Sequence, residues 1–213
     1  FIPILAKVGV ESGLFEEFER GGLLVRDRYG CNVLESLVLS STSEEDRCDA
    51  DHQRLVDKRL LEVLMRLKEM GLLKKEDIRE FDMLHYHGGV FPKQRFLFLS
   101  NWDPYALTHV DCIGWLPLYN AAYCLPIDGF RCILETGIRF FPKKRGINLL
   151  FQKNVEGHTP FKIACSQHGW EEVTKVIEST LVDCTSDGVP FNAEEAMFIA
   201  CIDDNIDLDG VHF

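Results

Sequence analysis

A glycine followed three residues later by a proline occurs twice in matching surroundings, and this recurrence constrains the fold more than anything else in the chain. Residues 111–123 read DCIGWLPLYNAAY and residues 154–165 read NVEGHTPFKIAC. Aligned on Gly114 and Gly157, both carry a polar residue three positions before the glycine. Pro117 and Pro160 follow, then Leu118 and Phe161, then Ala121-Ala122 and Ala164-Cys165. A weaker third copy, DRYGCNVLESLV, holds Asp27, Gly30, Asn32, Val33 and Leu34 in comparable places.

The physical content of the pattern is a tight turn leading into a short helix. Glycine adopts positive φ without steric cost, so a polar residue and a glycine together reverse the chain. Thr159 suits an N-cap, because its hydroxyl can accept from a free amide of the first helical turn. Pro160 then takes the first helical position, where a missing N–H costs nothing. Phe161, Ala164 and Cys165 follow at helical spacing and form one apolar stripe. A helix this short cannot bury such a stripe alone, so the units are expected to stack on one another.

The motif resembles the ankyrin repeat, which runs roughly D-x-x-G-x-T-P-L-H-x-A-A and continues G-x-x-x-V-x-x-L-L, and in style it resembles the divergent ankyrin-like families of diatoms. The match is fullest over 154–181, where His168-Gly169 ends one helix and Val173, Val176 and Ile177 line the next; the 104–137 unit follows. Departures are visible. The threonine of the motif is Leu116 in one unit, and its histidine is Tyr119 or Lys162. Gly114 and Gly157 also stand farther apart than the ankyrin period of ~33 residues, and the stretch GIRFFPKKRGINLL reads as the insertion responsible. The resemblance implies an all-α solenoid of stacked helix pairs with short hairpin-like loops.

The remaining chain divides into similar pieces. Residues 2–8 and 13–20 suit two helices closed by Gly21-Gly22, and 33–39 opens the next unit. Residues 40–51 read as a polar loop. A helix is expected over 53–70, with Leu55, Leu60, Leu61, Leu64 and Leu67 on one side and Gly71 past its end. Residues 76–87 and 92–100 are expected to pair across Gly88-Gly89, the second starting at Pro92. Ala196 to Cys201 repeat the stripe. Approximate units are 1–26, 27–73, 74–103, 104–150, 151–186 and 187–213, forming a single array with both chain ends falling inside a unit.

Composition narrows the function. At 46% hydrophobic and 27% charged residues the chain is of globular type, and no apolar run nears the ~18 residues of a membrane span. None of the eight cysteines forms a C-x-x-C pair, and they read as reduced thiols of an intracellular protein, cytoplasmic or nuclear. A secreted, disulfide-bonded protein is the alternative. A formal charge of −11 speaks against nucleic acid. The basic triplet Lys143-Lys144-Arg145 is expected to follow a helix end at Pro142.

No phosphate-binding loop, dinucleotide fingerprint, H-E-x-x-H or G-x-S-x-G occurs. His85 and His87 are two apart and would point to different sides of a helix, which disfavours a shared metal. The acidic pairs Glu16-Glu17, Glu44-Glu45 and Glu171-Glu172 read as solvated surface. Asn205 to Gly210 resembles the first half of a calcium loop but begins with Asn, and the chain ends before a position-twelve glutamate. No cofactor is expected.

The resemblance also implies where binding would occur: on the hairpin tips and on the first helix of each pair. By position these are Arg28 and Tyr29; Ile113 and Trp115; Val155, Glu156 and His158; and, on the first helices, Tyr119, Tyr123 and Lys162. Trp115 follows its turn glycine and is either an interface anchor or a packing residue. The expected function is a monomeric protein-interaction scaffold without catalysis. The alternative is the recognition module of a larger enzyme or membrane protein.

Overall fold

The computed structural model describes residues 1–39, 50–86, 90–142 and 144–184. Residues 40–49 of the expected polar loop, His87, Gly88-Gly89, Lys143, the expected stripe from Ala196 to Cys201 and the calcium-like sequence from Asn205 to Gly210 lie outside them. Among the described residues every regular element is helical. The α-helices are α1 (Ile2–Glu11), α2 (Val33–Leu39), α3 (Ala50–Glu69), α4 (Asp77–Glu80), α5 (Lys93–Trp102), α6 (Pro117–Cys124), α7 (Ile127–Phe140), α8 (Lys144–Ile147), α9 (Pro160–His168) and α10 (Trp170–Cys184). Short 3₁₀ turns occupy Glu17–Glu19, Pro104–Thr108 and Asn148–Leu150.

The helices pack in sequence order. α6 lies against α7, and α9 against α10. Between these two pairs, α6 meets α9 and α7 meets α10. Upstream, α1 touches α3, α3 touches α5, and α5 touches α7. The α6–α9 contact is the most extensive, and its residues explain why. Ala121, Ala122 and Ala164 are completely buried, so the two helices approach with no bulky side chain between them. Val173, Val176 and Ile177 of α10 are buried as their spacing predicts.

The helix starts follow the expected chemistry. The Thr159 hydroxyl accepts from the Lys162 N–H at 3.2 Å, and Pro160 opens α9. Before α2, the Asn32 side chain accepts from the Glu35 N–H at 2.9 Å while the Glu35 carboxylate accepts from the Asn32 N–H at 2.6 Å, a reciprocal capping box. Leu116 precedes Pro117 without a side-chain cap, and it is buried instead.

Several expectations need correction. Residues 13–20 do not form a second helix. Gly13 sits at φ +62 just past α1, Arg20 at φ +49, and only the 3₁₀ turn at Glu17–Glu19 lies between them. Leu14, Phe15 and Phe18 there remain exposed, so the segment buries no apolar face. The 76–87 helix shrinks to α4, because Asp82 adopts φ +47 and ends it. In α3 the inward row is Gln53, Asp57, Leu60, Leu64 and Leu67, and Leu55 faces solvent.

Charge explains that choice in α3. Asp57 accepts from Arg95 Nε at 2.7 Å, and Arg95 also donates to the carbonyls of Leu37 and Val38 at the end of α2 (2.6 and 3.3 Å). One guanidinium thus ties α2, α3 and α5 together. The 137–150 stretch is no loose insertion: its start completes α7, and its end buries Ile147, Leu149 and Leu150. Gly146 is required there, since a Cβ would sit 2.3 Å from the Phe141 carbonyl oxygen. The cations at 144–145 follow the end of α7, which falls at Phe140, two residues before Pro142. They open α8, where the Arg145 guanidinium lies 5.0 Å from the Phe141 ring centre.

Candidate interaction surface

Three turns share one hydrogen-bond scheme, and they build the candidate surface. In the first, the Asp27 N–H donates to the Cys31 carbonyl (2.8 Å) and the Gly30 N–H to the Asp27 carbonyl (3.0 Å). The Asp27 carboxylate meanwhile accepts from the amides of Tyr29 and Cys31 at 2.8 and 3.0 Å. The second turn repeats this with Asp111: its N–H reaches the Trp115 carbonyl at 2.9 Å, Gly114 closes at 3.0 Å, and Ile113 and Trp115 donate to the carboxylate. The third uses Asn154, with His158, Gly157 and Glu156 in the corresponding places.

The polar residue three before each glycine is therefore the organiser of the turn, holding two amides through one side-chain oxygen. Gly30, Gly114 and Gly157 sit at φ +83, +80 and +80, which a residue with a Cβ rarely adopts. Each turn carries its second and third residues outward. Arg28 and Tyr29 are exposed, with the Arg28 guanidinium 4.6 Å from the Tyr29 ring centre. Ile113 is 49% exposed and Val155 81%. Glu156 is exposed, and half-buried His158 has its Nδ1 3.4 Å from the Glu156 carboxylate.

Behind the second turn the aromatic residues divide. Trp115 is half-buried, with its ring centre 4.5 Å from that of Tyr119 and 5.7 Å from that of Tyr123. Tyr119 is only 2% exposed, and its hydroxyl accepts from the Asn154 side-chain amide at 3.1 Å. It belongs to the packing between neighbouring turns and offers nothing to a partner, contrary to the sequence expectation. Burial raises its phenol pKa, with the Glu156 charge adding to the effect. Tyr123, one helical turn on, is 54% exposed. Lys162 is exposed on α9. Tyr123 also lines an open cleft of about 400 Å³, together with Cys124 at the end of α6, Pro126 just before α7, and Gln167 and His168 at the end of α9.

Burial pushes the thiols of Cys124 and Cys132 up, and that of Cys165 to about 11, so they stay protonated and weakly nucleophilic at neutral pH. Cys112, next to Ile113, is an exposed free thiol. Among the described residues no cluster of three or more His, Cys, Asp or Glu side chains could hold a metal ion. No helix among them is long and apolar enough to cross a membrane.

Sequence reasoning missed His85. It is almost fully buried, and its Nε2 lies 3.0 Å from the Trp115 carbonyl at the base of the second turn. Nothing in the local sequence marks this, because the two residues are far apart in the chain.

The described residues form an all-helical fold in which α6–α7 and α9–α10 pack as successive pairs, with three polar–glycine turns at its surface. No family model, no curated protein and no solved structure matches the chain.

Proposed function

We propose that the protein is a binding scaffold of ankyrin-like repeats: a solenoid that recognises another protein through its turn tips and first helices and carries out no chemistry of its own. The observation that carries the reading is the threefold turn with one hydrogen-bond scheme, followed each time by a helix packed on its neighbour. Repeat stacks of this kind bury a continuous core and leave the turns free, so recognition can change without loss of the fold. Ile113, Trp115, Tyr123 and Val155 are the residues assigned to contact, because they combine apolar area with exposure; Arg28, Tyr29, Glu156, His158 and Lys162 supply the polar rim.

The test compares two variants in affinity capture and then in measured binding to each captured protein. Trp115→Ala combined with Val155→Asp is expected to lose the partner, with each apolar anchor costing ~1–3 kcal/mol. Lys68→Ala, which removes the ammonium 4.0 Å from the Trp102 ring centre on another part of the molecule, is expected to retain it. Equal binding by both variants, with melting unchanged, sinks the tip assignment.

A further inference from the structure

The stretch from Asn101 to Tyr105 closes α5 and opens the 3₁₀ turn that follows, and cations gather on it from several other elements. The Lys68 ammonium of α3 lies 4.0 Å from the Trp102 ring centre. Arg139 of α7 donates to the Asn101 side-chain oxygen at 3.3 Å, and its guanidinium is 5.0 Å from the Phe140 ring centre. The Arg145 guanidinium of α8 lies 5.0 Å from the ring centre of Phe141 and 6.0 Å from that of Tyr105. Buried Asp103 holds Arg79 Nε of α4 at 2.8 Å and Lys75 Nζ, just before α4, at 3.7 Å.

One carboxylate thus answers five cations, and among the described residues none of the five pairs with any other acid. Glu69, next to Lys68, belongs to Arg66, while Glu76 and Glu80 near Arg79 make no ion pair. The contrast along α3 is direct: Arg54, Arg59 and Arg66 each find a carboxylate three residues away. In a chain of 34 acidic and 23 basic residues, this group runs against the overall charge. Clustered like charges repel, and contacts with ring faces offset that repulsion only in part. Apolar area lies between the charges, since Tyr105 is 56% exposed and Trp102 and Phe140 are half-buried.

We propose that this stretch is a second docking surface, which takes a short acidic peptide segment of a partner protein. Carboxylates of the segment meet Lys68, Arg139 and Arg145, and its apolar side chains lie on Tyr105 and Phe140. Charge and extent together select that occupant. A formal charge of −11 repels any polyanion that spreads over the rest of the surface. A nucleic acid or an anionic membrane is large enough to meet those acids along with the cations. A short segment is not, because acids farther away than a Debye length of ~8 Å are largely screened at physiological salt. The proposal does not depend on the role assigned to the Trp115 tip.

A fluorescein-labelled peptide of repeated Glu-Leu-Asp units, titrated with the whole chain at low salt, is expected to bind saturably. Its affinity is expected to fall as salt rises, and the matching Gln-Leu-Asn peptide is expected not to bind. Arg139→Gln with Arg145→Gln is expected to weaken the acidic peptide roughly tenfold. Arg139→Lys with Arg145→Lys keeps both charges and is expected to retain most of the affinity. Arg66→Gln, at a cation already paired with Glu69, is expected to change nothing. If the glutamine pair unfolds the chain, Lys68→Gln at its exposed site carries the same test, with a loss of about threefold. Absence of saturable binding, equal binding of the neutral peptide, or undiminished binding by the folded glutamine variants overturns the surface. Tighter binding of an oligothymidylate than of the acidic peptide overturns the choice of occupant. Trp115→Ala is expected to leave the peptide affinity unchanged, so failure here and failure of the tip are read apart.

Discussion

The stretch from 111 to 184 and the stretch from 74 to 103 hold their helices together by different means. In the first, alanines let α6 and α9 meet closely, and Asp111 and Asn154 close their turns with the same four hydrogen bonds. In the second no polar–glycine turn occurs among the described residues, and α4 is a single turn of helix. Ion pairs to buried carboxylates carry the connections instead. Arg95 meets Asp57, the Arg20 guanidinium lies 2.5 Å from Asp77, and Arg79 Nε donates to Asp103 at 2.8 Å. Asp77 and Asp103 are 0% and 1% exposed. The contrast teaches that a stack of helices can be continued either by shape or by charge. Only the first leaves a short-range trace in sequence.

Breaking the charge-held region should have the largest effect. Asp57→Ala leaves the Arg95 guanidinium buried beside two carbonyls with its carboxylate gone, and removing one partner of a buried pair costs about 3–5 kcal/mol. Urea titration is expected to show the midpoint falling accordingly, and a loss below ~1 kcal/mol would mean that water replaces Asp57 at no cost. The shape-held region should respond to volume. Ala164→Leu, at the fully buried α6–α9 contact, is expected to destabilise by about 1–3 kcal/mol through overpacking. If the protein tolerates leucine there, the close approach of α6 and α9 is not what sets their spacing.

The smallest effect sharpens the same comparison at a helix start. Thr159→Ala removes the acceptor for the Lys162 N–H and is expected to cost ~1 kcal/mol. Equal melting midpoints for parent and variant in one buffer would show that Pro160 and the packing behind it define the start of α9 without the cap.

The readability of the sequence followed this division. The turn at Gly157, the cap at Thr159, the proline opening α9, the glycine after it and the buried row in α10 are each properties of residues within a few positions of one another, so periodicity and turn chemistry expose them. The expected 76–87 helix failed for the opposite reason. What ends it is the positive φ of Asp82, set among His85, His109 and the next turn. In α3, Leu55 looked like a core residue, yet it faces solvent while Asp57 is buried against a partner 38 positions away.

The candidate surface divides in the same way. Tyr119 and Tyr123 are equivalent by helical spacing, yet one bonds Asn154 in the interior while the other lines an open cleft. By itself the sequence determined the helical class, the polar–glycine turns and the residues carried outward at their tips, because these depend on local backbone preferences and on apolar spacing. The tertiary structure alone decided which aromatic side chains stay exposed, where Arg95 finds its carboxylate, and that His85 lies under the Trp115 turn. Each of those outcomes depends on atoms brought together from distant positions, whose desolvation and pairing have no counterpart in the unfolded chain.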